Sequence, residues 1–231
     1  MHALIDTPSI TPRCLHVASD DDMGVLQRIV EPSLNLCIWK RRANPATART
    51  IEAILASKFT TRLDLQFPSP EEIASRIRAT DPALATSLGV MDLATDVASL
   101  ASLFARLAGT KHPRVRLDRV EDDGCALFHC DSLRLRMLCV YAGPGTQWLE
   151  NSNVRRDQLG SHGRSIAEAN AAIVVDAGAI QSIPNWHVAV FKGRAWDDGD
   201  DLSLIHRSAP VRHRGEYRIR LCIDLPNGCA C

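Results

Sequence analysis

Apolar residues recur at helical spacing between about residues 45 and 109, which predicts amphipathic helices in this part of the chain. The segment 69–72 is typical of a helix start, because a serine N-cap precedes a proline and two glutamates in the first turn. Another helix is predicted over about residues 93–107, with Gly109 as its C-terminal stop. Residues 1–112 are therefore expected to form a mainly helical region.

After residue 112 the pattern changes to short segments in which apolar and polar residues alternate, the period of a half-buried strand. Strands are predicted over about residues 36–39, 115–120, 125–131, 134–141, 146–149, 187–191, 202–206 and 217–225, with a further apolar run at 173–175. Residues 150–168 are polar and weakly patterned, and the stretch 151–164 within them is interpreted as a loop. Such numerous short strands are typical of a sandwich or barrel, so residues 113–231 are predicted to form one, with region 1–112 packed on it as one compact unit.

The composition is that of a globular protein, with 231 residues of which 45% are hydrophobic. Lys and Arg total 27 and Asp and Glu total 27, so no overall charge favours nucleic acid or an anionic membrane as a partner. No signal peptide or apolar span is apparent, and a cytoplasmic location without membrane association is expected. Among the 8 cysteines, Cys229 and Cys231 form a pair that could bind a soft metal, although an exposed C-terminal tail is the favoured interpretation.

The segment Phe128-His129-Cys130-Asp131 carries the first candidate chemistry. Side chains alternate along a strand, so His129 and Asp131 would point to the same face, where an imidazole and a carboxylate could begin a facial metal triad. A chain of this composition contains roughly 0.7 such spacings by chance. The spacing alone therefore favours a local hydrogen bond between the two side chains, and a third ligand is needed to indicate a metal site.

His206 is the candidate third ligand. It precedes Ala209-Pro210-Val211, Gly215 and an arginine-bearing strand at 217–221. With the His-x-Asp motif, this order resembles the iron(II)/2-oxoglutarate oxygenases of the prolyl-hydroxylase-like branch, over about residues 125–225. The chain is more closely similar to an uncharacterised bacterial family, the domain of unknown function 1826. That similarity lies in Phe128–Asp131, Val140–Leu149, Phe191–Trp196 and His206–Leu225.

The resemblance implies an α+β protein whose barrel is a double-stranded β-helix of the jelly-roll or cupin type. It implies Fe(II) at a catalytic centre of His129, Asp131 and His206, with 2-oxoglutarate as cosubstrate. Arg218 would hold the distal carboxylate of the cosubstrate. The connection from His206 is longer than usual, which leaves Arg220 as an alternative, and both arginines could instead face solvent on an edge strand. Molecular oxygen and a small-molecule or peptide substrate would be the remaining partners.

Two other functions stay open. A non-enzymatic cupin-like protein could bind a metal such as zinc in metal homeostasis, and a degenerate barrel could serve only as an interaction surface. A storage site would not need Arg218 to point into the barrel, so this arginine discriminates between the functions. Weaker candidates for pocket or substrate contacts are Arg134, Arg136, Tyr141, Trp148, Asn153, Arg155, Arg156, His187 and Trp196.

Overall fold

The computed structural model describes residues 16–57, 63–87, 89–122, 124–196, 202–212 and 215–226. Within these ranges the strands are β1 (Val17–Asp20), β2 (Leu36–Trp39), β3 (Leu63–Gln66), β4 (Arg114–Val120), β5 (Leu135–Ala142), β6 (Gln147–Trp148), β7 (Gln181–Ser182), β8 (Val188–Lys192), β9 (His206–Arg207) and β10 (Arg218–Asp224). The α-helices are α1 (Pro45–Ala56), α2 (Pro70–Arg78), α3 (Pro82–Ala85), α4 (Val90–Ala108) and α5 (Ile166–Ile173), and short 3-10 helices cover Met23–Val30, Asn151–Asn153, Arg156–Gln158 and Ala177–Ala179.

The helix signals of the first part of the chain act as predicted. Ser69 Oγ accepts a hydrogen bond from the backbone N–H of Glu72 at the start of α2. Gly109 ends α4 in the left-handed conformation, at φ 65°, where a side chain would be strained. The expectation of helix throughout 45–109 was wrong at β3, because Leu63–Gln66 pairs with β4 and buries Leu63. Tertiary pairing there overrides the local pattern.

One large sheet contains seven of the described strands in the order β1-β2-β8-β5-β10-β4-β3. β1 and β2 are parallel, and the remaining neighbours are antiparallel. Strands β1, β2 and β3 precede residue 112 and join strands that follow it. The two predicted regions thus share one sheet, and their division at residues 112 and 113 stays a prediction.

The large sheet is covered on one face by helices. Buried residues of α1, α2 and α4 pack with Leu117, Val190 and Leu221 in a single hydrophobic core, as the amphipathic pattern predicts. An ion pair between Arg41 and Asp96 and a 2.7 Å hydrogen bond from Tyr141 Oη to Asp96 Oδ2 also join α4 to β5 and to the segment after β2. None of the described helices is both long and apolar enough to cross a membrane.

The opposite face of the large sheet packs against a small antiparallel sheet of order β7-β6-β9. Trp148 of β6, Ile183 and Leu204 contact Leu138 and Phe191 of the large sheet. Throughout the described ranges the strands belong to these two sheets, which do not close into a barrel by hydrogen bonding. The molecule is a mixed α/β protein with two packed sheets.

Several strand predictions are confirmed, including β2, β4, β5, β8 and β10. Residues 125–131 do not form a strand, because only His129 makes a backbone bridge there. The predicted strand at 202–206 is also displaced, since β9 begins at His206. The stretch 151–164, interpreted as a loop, contains two short 3-10 helices. Helix α5 begins just after it, where Ser165 and Glu168 form a reciprocal capping box.

Candidate metal centre

A backbone bridge brings the two predicted histidine ligands together. The N–H of His129 donates to the carbonyl of His206 at 3.0 Å, and the N–H of His206 donates to the carbonyl of His129 at 2.9 Å. Their ring centroids are 4.7 Å apart. Asp131 lies between the rings. Its Oδ1 is 3.8 Å from Nε2 of His129, and its Oδ2 is 3.8 Å from Nε2 of His206. One ligand atom from each residue lies within 4.8 Å of the others, so the three form a group that could hold a metal ion.

Both imidazoles are oriented for ligation through Nε2. Nδ1 of His129 lies 2.8 Å from the carbonyl oxygen of Leu127, and Nδ1 of His206 lies 3.3 Å from that of Leu204. A carbonyl oxygen only accepts hydrogen bonds, so the contacts assign the proton to Nδ1 and leave the Nε2 lone pair facing Asp131. Burial lowers the pKa of His206 to about 4, against the opposing effect of Asp131. His206 is therefore neutral near pH 7, as a metal ligand must be.

Asp131 is also held by an arginine. Nη1 of Arg136 lies 2.8 Å from each carboxylate oxygen of Asp131. Nη2 of Arg136 donates at 3.1 Å to Asp224, which also pairs with Arg116. The side chains of Arg116, Asp131 and Asp224 have no exposed surface, and that of Arg136 is 4% exposed. The candidate ligand is thus part of a buried ion-pair network on the inner face of the large sheet.

The two candidate cosubstrate arginines differ in their partners. Arg220 donates to Asp118 at 2.9 Å. Arg218 is fully buried, and its only hydrogen-bond partner among the described residues is Thr146, at 2.8 Å. Burial, and then the charge of Arg220, lower the pKa of Arg218 to about 9. The solvent-facing alternative was wrong, because β10 lies between β5 and β4 and buries Arg218.

A small cavity adjoins the triad. Its volume is about 20 Å³, room for about one water molecule. Its lining residues are Cys125, His129, Arg136, Leu138, Thr146, His206, Ser208, Arg220 and Cys222. Arg218 reaches this wall through Thr146. Sequence reasoning did not select Cys125, Thr146, Ser208 or Cys222, and only Cys222 had a signal, since it follows Arg218 and Arg220 on the same face of β10.

The remaining candidates lie elsewhere or support the backbone. Tyr141 faces the helical layer, where it binds Asp96. Asn153 donates to the carbonyl oxygen of Asp176, and Arg155 donates to that of Val174. Arg156 likewise donates to the carbonyl oxygen of Ser203. Among the weaker candidates it is thus Arg136 that lines the cavity. The pair Cys229 and Cys231 lies outside the described residues.

Comparison with known proteins identifies a family, but the description of this family names no reaction. A family described as "Protein of unknown function (DUF1826)" matches residues 20–224. No curated protein matches the chain. Among solved structures, the chain is similar to the dioxygenase for auxin oxidation 1 from Arabidopsis thaliana in a complex with 2-oxoglutarate. That match has a TM-score of 0.47 and 12% identity and covers 90% of this chain and 91% of the other.

A second similar structure is the non-heme alpha-ketoglutarate-dependent carbocyclase SnoK from nogalamycin biosynthesis. Its TM-score is 0.35 at 8% identity, and the match covers 87% of this chain and 83% of the other. The family description names no substrate or cofactor, so the chemistry of this chain has to be argued from its own residues.

Proposed function

The chain belongs to the DUF1826 family, and from that premise we propose that it is an iron(II)/2-oxoglutarate-dependent oxygenase of the hydroxylase type. One observation carries the proposal. Two histidine Nε2 atoms face one carboxylate. In the same protein interior lies the fully buried guanidinium of Arg218, which has no carboxylate partner among the described residues. A metal triad explains the first feature, and an anionic ligand explains the second.

The donor set fits Fe(II). Two neutral imidazoles and one carboxylate are the ligands of the facial triad in non-haem iron oxygenases, and they leave coordination positions open for other ligands. The proposed ligands are His129, Asp131 and His206. The carbonyl contacts at Nδ1 of both histidines provide the orientation that metal ligands require.

The environment of Arg218 fits a carboxylate. Nε and Nη1 of this side chain are buried without a hydrogen-bond partner, and a buried charge without a counter-ion is costly. The planar guanidinium can bind both oxygens of a carboxylate at once. We assign Arg218 to the distal carboxylate of 2-oxoglutarate and Thr146 to the orientation of Arg218. Arg220 already pairs with Asp118 and would form the neighbouring wall.

The cavity volume of about 20 Å³ is too small for a dicarboxylate. Binding of 2-oxoglutarate therefore requires the side chains that line the cavity to move apart. Ser208 and Cys125 are joined by a backbone hydrogen bond of 2.8 Å and lie outside the large sheet, so they can move without disturbing β5 or β10. We expect the opening to occur on their side.

Each residue then has a distinct role. Fe(II) with 2-oxoglutarate and oxygen supplies the oxidation of a substrate C–H bond when bound. The triad orients the metal, Arg218 fixes the orientation of the cosubstrate, and the packed sheets exclude water from the site. The side chain of His129 is 25% exposed and that of His206 is 6% exposed. The substrate, a small molecule or a peptide, would therefore approach from the side of His129.

We also propose that the two packed sheets are an open double-stranded β-helix. Supporting this, His206 and Trp148 lie on the small sheet, and the inner face of the large sheet carries Arg218 and Arg136. The proposed ligand His206 and the proposed cosubstrate anchor Arg218 thus come from opposing sheets. A cavity between two such sheets is the usual location of a ligand site in this architecture.

Calorimetric titration of 2-oxoglutarate into the Fe(II)-loaded protein under nitrogen tests the proposal. One molecule is expected to bind per chain. Arg218→Met should weaken cosubstrate binding at least about 100-fold, because a buried charge partner is lost, while metal binding is unchanged. If the metal-loaded protein binds no 2-oxoglutarate, the oxygenase assignment is wrong, and a metal-binding protein, for example one in zinc homeostasis, is the better description.

A further inference from the structure

A chain of buried ion pairs leads from the centre of the large sheet to the proposed metal ligand. Asp224 on β10 lies opposite Arg136 on β5 and pairs with both Arg136 and Arg116. Arg136 in turn contacts both carboxylate oxygens of Asp131 at 2.8 Å. We refer to Arg116, Asp224, Arg136 and Asp131 as the ion-pair chain. It couples one candidate metal ligand to charges that do not themselves face the metal position.

The formal charges of the ion-pair chain sum to zero without any metal. Asp131 has no exposed side-chain surface, so in the metal-free protein its negative charge is balanced inside the fold by Arg136. A divalent cation bound to Asp131 would stand next to the same guanidinium. Because like charges repel strongly where little water screens them, the cation and Arg136 compete for one carboxylate.

The main chain of Asp131 is held without help from Arg136. The N–H of Arg194 donates to the carbonyl oxygen of Asp131 at 2.8 Å. Gly193 approaches the same carbonyl oxygen so closely that an added Cβ would lie 2.8 Å from it. The bridge between His129 and His206 fixes the other two ligands. Loss of the Arg136 side chain therefore removes a charge from the metal position and leaves the ligand backbone in place.

Resting on the proposed metal site, we propose that Arg136 is an internal counter-ion that substitutes for the metal at Asp131 and lowers the affinity of the site for divalent cations. Asp224 sets the strength of this effect, since it shares the guanidinium of Arg136. The protein can then fold with a preformed site before metal arrives. It also exchanges its metal more readily than the same three ligands would without Arg136.

The charge count gives an order of affinities. Arg136→Gln leaves the ion-pair chain with a net charge of −1, and Asp224→Asn leaves it with a net charge of +1. A unit charge about 5 Å from the metal changes its affinity by more than about tenfold at the effective permittivity typical of proteins. We therefore expect Arg136→Gln to bind a divalent cation at least about tenfold more tightly than the natural chain, and Asp224→Asn to bind it more weakly.

In the experiment, the full-length, metal-free protein is titrated with Mn(II), and the concentration of free Mn(II) is measured by electron paramagnetic resonance. Arg136→Lys keeps the charge and should stay within about threefold of the natural affinity. Arg41→Gln removes an arginine–aspartate pair on the opposite face of the sheet and should leave the affinity unchanged. Thermal unfolding with and without Mn(II) reports whether each variant folds, and Mn(II) should stabilise Arg136→Gln more than the natural chain.

An affinity of Arg136→Gln equal to or weaker than that of the natural chain would overturn the inference. If Arg136→Gln does not fold, Asp224→Asn decides, because binding as tight as that of the natural chain would also overturn it. The proposed function fails separately. Absence of stoichiometric Mn(II) binding by the natural chain would remove the metal site itself, whereas binding with the wrong order of affinities removes only the role of Arg136.

Discussion

Replacing Arg218 with methionine should stabilise the protein and at the same time weaken its binding of 2-oxoglutarate at least about 100-fold. The guanidinium is fully buried and has only Thr146 as a hydrogen-bond partner among the described residues. A pKa lowered to about 9 by burial corresponds to a cost of roughly 5 kcal/mol for keeping the charge in the folded state. This cost is present at pH values below about 9, where the folded and unfolded chains are both protonated, and it declines at higher pH.

Methionine has a similar length and no charge, so Arg218→Met removes the cost. We expect a gain of about 1–4 kcal/mol in the free energy of unfolding, the range found when buried charges are replaced by apolar side chains. For a chain of this size each kcal/mol raises the melting temperature by about 2–4 °C. Thermal and urea unfolding of the metal-free protein measure both quantities.

Arg220→Met is the matched control, because Arg220 lies on the same face of β10 but pairs with Asp118, whose side chain is 8% exposed. Breaking this largely buried ion pair should cost about 3–5 kcal/mol. The two substitutions are therefore expected to have opposite signs. If Arg218→Met destabilises the protein as much as Arg220→Met does, Arg218 supports the fold, and the reasoning that assigns it to an anionic ligand is refuted.

Three further predictions concern the surroundings of the site. Gly193→Ala drives a Cβ against the Leu133 carbonyl oxygen and places it 2.8 Å from that of Asp131. The substitution should cost about 2 kcal/mol of stability and weaken Mn(II) binding, and equal affinities would contradict this. Asp96→Asn removes the carboxylate with which Arg41 pairs and should lower the free energy of unfolding by about 2 kcal/mol, as measured by urea unfolding. Its affinity for Mn(II), measured by titration, should not change. Burial raises the pKa of the Cys139 thiol to about 11, so iodoacetamide at pH 8 should label Cys139 only after unfolding, which peptide mass spectrometry would detect.

The proximity of His129, Asp131 and His206 could be predicted from the sequence even though their local structure could not. A two-residue spacing directs His129 and Asp131 to the same side, as in a strand. The structure achieves this with a single backbone bridge between His129 and His206. The start of α5 could also have been predicted, because Ser165 and Glu168 have the spacing of a capping box, although no helix was predicted there.

The choice between the arginines required the structure. Arg218 and Arg220 are equivalent in the alternating pattern of β10, and each could have faced a ligand. Their cross-strand neighbours on β4 differ, since Arg220 lies opposite Asp118 and Arg218 lies opposite Val120. Strand register is a long-range property that the pattern of one strand does not contain. The contact between Arg136 and Asp131 depends on the same kind of tertiary placement.

The visible spectrum of the Fe(II)-loaded protein under nitrogen, before and after 2-oxoglutarate is added, tests the central claim most directly. We expect a weak charge-transfer band that requires the cosubstrate and is absent from both His206→Ala and Arg218→Met. The first variant should lose the metal, and the second should retain it. Bound Fe(II) with no band in the natural chain, or an undiminished band in Arg218→Met, would contradict the account.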